Sequence, residues 1–189
     1  MTITEMGTLP KQRVLRTYQY PMGTVSSGTM REEDLIPDFV WELKHLAKRC
    51  KYVAYKTRKA HLALCKEIET RMEDEGYYES EDVGYDLNEG LFDALGEYAA
   101  PYFYFGAHPG DGADYGFWLS EEWDEDFEDL GAVIGDRFNG ESSIDKLKVE
   151  DLADVPQWFR GEVAVVNDHG NVSLYVKTSR ELREVWAVV

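Results

Sequence analysis

The stretch YFYFGAHPGDGADYGFWL (residues 102–119) decides much of the fold, because aromatic runs flank a glycine-rich centre. Aromatic residues favour strands, so residues 102–105 and 115–119 are predicted to form two antiparallel strands. Pro109-Gly110 is a strong turn dipeptide, and the four glycines of the stretch allow the backbone to take positive φ. The stretch is therefore interpreted as a β-hairpin whose strands are joined by a glycine-rich loop.

The same loop carries side chains that are able to do chemistry, namely His108, Asp111 and Asp114. In a structural interpretation, the two aspartates hydrogen-bond their own backbone and shape the turn. In an alternative interpretation, the loop meets a second turn that carries Asp168 and His169. Two imidazoles and three carboxylates then form the site of a metal-dependent or acid/base enzyme. The spacing matches neither an EF-hand nor a phosphate-binding loop, so no metal or cofactor is assigned.

Helical periodicity dominates the N-terminal half, and three helices are predicted there. The first runs from Pro37, as its N1 residue, to about residue 51, with Thr29 and Glu32 at capping-box spacing before it. The second covers residues 52–76. The third, capped by Ser80, covers residues 81–98 with a buried stripe formed by Leu87, Leu91, Ala94, Leu95 and Tyr98.

Strand patterns begin and end the chain. Residues 13–20 alternate as a strand, and residues 21–29, rich in Gly and Ser, are typical of a loop. Residues 162–168, 171–178 and 181–189 are predicted to form a three-stranded meander. The fold class is therefore α+β, with N-terminal helices packed on a mostly antiparallel sheet of about five strands, and residues 1–189 form a single domain.

The composition restricts the partners. The chain has 189 residues and a formal net charge of −17, which argues against direct binding of nucleic acid because phosphates would be repelled. The 43% hydrophobic content suffices for a packed core. The sequence shows no long apolar run and no secretory leader, so we expect neither a membrane span nor secretion. Cys50 and Cys65 match no metal motif and are predicted to be free thiols of the cytoplasm.

Charge is segregated along the chain. A basic helical segment, residues 44–76, holds nine of the 20 Lys and Arg residues, whereas residues 73–97 hold ten acids and no Lys or Arg. The plain interpretation is that the basic helices pair with acidic neighbours inside the fold. The nearby cations favour a low thiol pKa for Cys50 and Cys65, but Cys65 also falls on the apolar stripe of its helix, where a buried small residue is expected.

A second acidic segment, residues 120–136, is predicted to include a short helix. Carboxylates on a surface imitate the phosphates of DNA, and an aromatic among them anchors an interface. The alternative is a solvated helix with its aromatics turned into the core. The candidate partner-binding residues are Trp123 as anchor and, around it and in the preceding acidic region, Glu121, Glu122, Asp124, Glu125, Asp126, Glu128, Asp129, Glu79, Glu81 and Asp82.

Three blocks, GTMREEDLIPDF (28–39), LFDALGEYAAPYFYFGAHPGDGADYGFW (91–118) and VVNDHGNVSLY (165–175), resemble a family of small acidic proteins of phages, prophages and plasmids. The resemblance covers about half of the chain. It implies an accessory product of a mobile element in a bacterial cytoplasm, but no activity and no functional residue.

The favoured interpretation is a non-enzymatic protein that binds and inhibits a basic host protein by imitating DNA. The expected partner is a nucleic-acid-binding or defence component. The enzyme built on His108, Asp111, Asp114, Asp168 and His169 remains the alternative, and a structural or regulatory accessory protein without a charge-driven partner is a third.

Overall fold

The glycine-rich hairpin organises the first sheet of the protein. The structure is a computed structural model, and it describes residues 19–123, 131–134, 148–149, 157, 161–167, 169 and 171–187. Strands β2 (Phe103–His108) and β3 (Asp111–Leu119) pair antiparallel and reverse at Pro109-Gly110. The predicted hairpin is confirmed, but the strands are longer than predicted. Gly106 and Gly116 lie opposite each other within the ladder, so most of the predicted loop is strand.

Gly116 allows a third strand to approach. Strand β1 (Gly23–Ser27) pairs antiparallel with β3, and the sheet order is β1-β3-β2. A Cβ atom on Gly116 would lie 2.2 Å from the carbonyl oxygen of Gly23, closer than any real contact. The interpretation of residues 21–29 as a loop is therefore wrong for their centre. The strand predicted at 13–20 lies mostly outside the described residues, and Gln19 and Tyr20 have no regular structure.

Helix α1 (Glu32–Arg49) begins before the predicted start, and Pro37 lies inside it. The N-cap is Arg31, whose side chain makes no capping hydrogen bond. Thr29 instead accepts a hydrogen bond from the Arg31 N–H and donates one to Asp34 Oδ2 at 2.8 Å. The prediction of Pro37 as N1 is wrong, because the acids before it already form the first turn and suit the positive helix end.

Helix α2 (Tyr55–Arg71) packs against α1, and a 3₁₀ turn (Tyr77–Glu79) follows it. The third predicted helix is an unbroken run of α3 (Glu81–Tyr85), a π-helix (Asp86–Phe92) and α4 (Asp93–Gly96). Ser80 is its N-cap by position, but its hydroxyl donates to the Tyr77 carbonyl instead. The predicted stripe is buried as expected: Leu87, Leu91, Ala94, Leu95 and Tyr98.

The second sheet contains the predicted meander, which is confirmed as β6 (Gly161–Val166), β7 (Val172–Lys177) and β8 (Leu182–Ala187). Two further strands, β4 (Gly131–Ile134) and β5 (Lys148–Val149), extend it in parallel, in the order β5-β4-β6-β7-β8. The α+β class is thus correct. The prediction of a single sheet is wrong, because the hairpin and the meander belong to different sheets.

One apolar core joins these layers. Phe39 of α1 makes edge contacts with Phe92, Phe105 and Tyr115, at ring-centroid distances of 5.4, 5.0 and 5.9 Å. Such edge-to-face pairs add stability beyond the area they bury. The second sheet is attached by the Phe103–Trp186 contact at 5.4 Å and by a hydrogen bond from Tyr102 Oη to the buried Glu162 at 2.8 Å. Tyr102 holds this position with a positive φ of 71°.

We expect Gly116→Ala to destabilise the protein by about 3 kcal/mol or more, because the added methyl group meets backbone and β1 must move away from β3. Gly112→Ala is the matched control, since it lies in the same strand and a Cβ atom added there would have no atom within 4 Å. The control should change stability by less than about 1 kcal/mol. Urea unfolding of both variants measures this, and equal stability of the two would contradict the close approach.

Candidate functional site

The polar side chains of the hairpin form hydrogen bonds within the turn and between the strands. His108 Nδ1 accepts a hydrogen bond from the Gly110 N–H at 3.0 Å, and its ring meets the Trp118 ring edge-on at 4.6 Å. Asp111 Oδ1 accepts from the Ala113 N–H at 3.0 Å. Asp114 Oδ2 accepts from the Thr24 hydroxyl at 3.2 Å, which joins β3 to β1. Three of the candidate catalytic residues are therefore engaged in closing the turn and pairing the strands.

The second turn has the same character. Asn167 Oδ1 accepts hydrogen bonds from the backbone N–H groups of His169 and Asn171, at 3.0 and 2.9 Å. His169 is exposed, and Asp168 lies outside the described residues. Within the described part of the chain, no three His, Cys, Asp or Glu side chains are grouped closely enough to hold a metal ion. The enzyme alternative remains a hypothesis that no described cluster supports.

Both cysteines are buried, so cations near them in sequence do not activate them. Burial raises the pKa of Cys65 to about 11, and its thiol lies 3.8 Å from the Val40 carbonyl oxygen. Burial also raises the pKa of Cys50, against a hydrogen bond with Tyr52 and the charge of Arg49 that act in the opposite direction. Lowered thiol pKa values are therefore not found, because desolvation outweighs the charges, whereas the expected burial of Cys65 on its apolar stripe is confirmed.

Several cations of the basic segment form ion pairs and hydrogen bonds inside the fold. Lys44 pairs with Glu69 at 2.6 Å, and the Arg58 guanidinium donates to the carbonyl oxygens of Val53 and Ala47 at 3.1 Å each. Arg71 Nη2 donates to Asp86 Oδ1 at 2.8 Å, where the carboxylate is only 2% exposed. These cations therefore hold α1, α2 and the π-helix together.

Asp86 is a buried carboxylate within the acidic stretch of residues 73–97. Its second oxygen accepts a hydrogen bond from Tyr77 Oη at 2.9 Å. Burial and this bond to a carboxylate raise the pKa of Tyr77 above its usual range, so the hydroxyl stays a donor. The sequence signal is helical spacing, since Asp86 follows the buried Val83 by three residues and so shares its face. The Arg71–Asp86–Tyr77 cluster thus fixes the turn between α2 and α3.

That turn presents the largest group of exposed acids in the described residues. We call it the acidic surface, and it comprises Glu73, Asp74, Glu75, Glu79, Glu81 and Asp82, all exposed. Among the described residues, none of the six belongs to an ion pair. Tyr85 is 68% exposed and follows Asp82 and Glu81 by three and four residues, on the same side of α3. An aromatic ring therefore lies within the acidic surface.

The second predicted acidic patch is described only at its start. Glu121 and Glu122 are exposed, whereas Asp124, Glu125, Asp126, Glu128 and Asp129 lie outside the described residues. Trp123 is 8% exposed and packs in the core, so its interpretation as an exposed anchor is corrected. The alternative of an aromatic turned inward holds for this residue. The short helix predicted within 120–136 is also corrected at residues 131–134, which form β4.

Comparison with protein-family models, with curated proteins and with solved structures found no match. The resemblance stated on three sequence blocks therefore stays a prediction. No helix of the described residues is long and apolar enough to cross a bilayer. The function must be argued from the surface itself.

We expect Arg71→Met to cost about 3 kcal/mol, because it leaves the Asp86 carboxylate buried without its cation. This value lies at the low end for a broken buried pair, since Arg71 is itself about one third exposed. Lys59→Met is the control, an exposed cation of the same helix, and should cost less than about 0.5 kcal/mol. Equal urea midpoints for the two variants would show that Arg71 does not stabilise Asp86.

Both thiols should resist alkylation by iodoacetamide in the native protein at pH 7, because the thiolate is the reactive form and burial disfavours it. Mass spectrometry of the labelled protein gives the rate for each cysteine, with urea-unfolded protein as the reference for full reactivity. Rapid native labelling of Cys65 would contradict the burial of this thiol and its raised pKa.

Proposed function

We propose that the protein is a non-enzymatic inhibitor that binds a basic protein of a bacterial host by imitating the charge of nucleic acid. The expected target is a nucleic-acid-binding or defence component in the cytoplasm. The proposal rests on one observation, the acidic surface, whose six carboxylates are exposed and have no ion-pair partner among the described residues.

The ion pairs and hydrogen bonds that cations form inside the fold support this proposal, because they leave fewer cations to pair with surface acids. The chain has 37 acids against 20 Lys and Arg residues, and several of the cations are used inside the fold. The surplus acids repel one another, which destabilises the folded state and favours a partner that supplies positive charge. A protein that holds phosphates with Lys and Arg provides such charges, and its association with the acidic surface is accelerated by the long-range field.

Charge alone gives rate and salt dependence more than affinity, so an anchor is needed. Tyr85 takes the place that the sequence suggests for Trp123, because its ring is exposed beside the acids of α3. Tyrosine is enriched among the residues that dominate binding energies. The acidic surface and Tyr85 together have the composition of a protein-binding patch.

Neutralising Glu79→Gln, Glu81→Gln and Asp82→Asn together should weaken capture of the host partner roughly tenfold. Three exposed ion pairs at about 0.5 kcal/mol each give about 1.5 kcal/mol, which corresponds to that factor. The measurement is quantitative capture from bacterial lysate at low and high salt, followed by elution with duplex DNA. DNA should release the captured protein, since it competes for the same cationic site.

The control variant neutralises three exposed acids elsewhere, Asp93→Asn, Glu181→Gln and Glu184→Gln. It keeps the net charge of the first variant, so any difference between them belongs to the acidic surface. A partner that DNA does not displace, or that both variants lose equally, would contradict imitation of nucleic acid by this surface.

A further inference from the structure

A cleft of about 420 Å³ runs between α1 and α2, next to the acidic surface. Its apolar lining is Pro37, Val40, Trp41 and Met72, and its polar lining is Lys44, His45, Lys48 and Glu69. Trp41 is 67% exposed, and its ring stacks on His45 at 5.4 Å with an interplanar angle of 12°. Stacking fixes the orientation of the indole without burying it.

Trp41 separates this cleft from a second one. The indole also lines a cleft of about 230 Å³ whose wall is β1, together with Asp38 and Phe117. A third cleft, of about 400 Å³, begins at His45 on the next turn of α1. An exposed tryptophan between concave surfaces differs from an isolated surface aromatic, because a partner is able to enclose it.

The charges around the cleft are unequal at its two ends. At one end, Met72 directly precedes the acidic surface. Lys44 is neutralised by Glu69 at 2.6 Å. The opposite end carries the exposed Lys48. The cleft therefore has apolar side chains in its lining, the acidic surface next to one end and Lys48 at the other.

We propose that the cleft receives an amphipathic helix of the basic partner, with apolar side chains packed on Trp41 and basic side chains over the acidic surface. This inference rests on the proposed function and specifies where and how the partner binds. A helix laid in a groove by its apolar face is a recurring recognition mode, and the charge asymmetry of the cleft sets the direction of the helix. Lys48 favours the less basic end of the partner helix.

The probe is a synthetic helix with leucines on one face and arginines on the other, compared with a scrambled peptide of the same composition. Fluorescence anisotropy of the labelled peptides gives their dissociation constants. Wild-type protein should bind the amphipathic peptide at least about tenfold more tightly than the scrambled one, because only the former presents an apolar face to Trp41. Trp41→Ala should remove this preference while leaving the binding of the scrambled peptide unchanged.

Tyr55→Ala is the matched control, since Tyr55 is 74% exposed on α2 and does not line the cleft. It should leave the preference intact. An unchanged preference in Trp41→Ala overturns the cleft while the acidic surface stands. The proposed function fails separately if neutralising Glu79, Glu81 and Asp82 lowers binding of both peptides no more than neutralising Asp93, Glu181 and Glu184. A dimer in sedimentation that requires Trp41 would assign the cleft to a second copy of the chain and overturn a partner helix.

Discussion

The ion pair between Arg71 and Asp86 is the contact on which the described surface depends. A carboxylate that is 2% exposed is costly to bury, and here the 2.8 Å contact with the guanidinium and the hydrogen bond from Tyr77 offset that cost. Because Arg71 ends α2 and Asp86 begins the π-helix, the pair closes the turn between them. That turn carries the acidic surface on its outside and Met72 of the cleft on its side. One buried contact therefore positions both parts of the proposed interface.

The described part of the protein contains carboxylates in two contrasting environments. Two are buried and accept hydrogen bonds, whereas a larger group is exposed and pairs with no cation of the described residues. Asp86 and Glu162 belong to the first kind, and each accepts a hydrogen bond from a tyrosine, Tyr77 and Tyr102. Asp86 also pairs with Arg71, so this cation of α2 is used in the interior and not on the acidic surface. The separation of charge seen in the sequence thus persists in the fold. This charge separation depends on the positions of the hydrogen-bond donors as well as on the number of acidic residues.

Local patterns predict the meander, because alternation in residues such as Val172, Leu174 and Val176 is a property of one strand. They do not predict that two sheets exist, because the pairing of β1 with β3 depends on contact between residues about 90 apart. The sequence signal for that pairing is the missing Cβ atom of Gly116, which lets β1 approach β3. A glycine in a loop looks the same in the sequence, so this signal is not recognisable there. The aromatic anchor is mispredicted for a similar reason. Spacing shows which residues share a helical face but not which face is buried, so it points to the buried Trp123 and passes over the exposed Trp41.

Pro37 links the local sequence to the cleft. It has no N–H, so the carbonyl oxygen of Glu33 receives no α-helical hydrogen bond from residue 37, and its ring crowds that carbonyl. The helix tolerates this interruption because the other turns of α1 bury Leu35, Ile36, Phe39 and Val40 in the core. The result is an acceptor without its helical donor in the same turn of α1 as the cleft lining, near the Glu33 carboxylate. A Lys or Arg side chain of a partner is able to donate to this carbonyl oxygen, whereas the Glu33 carboxylate is already paired with Arg31. The backbone at this end therefore favours the same kind of partner as the neighbouring acidic surface.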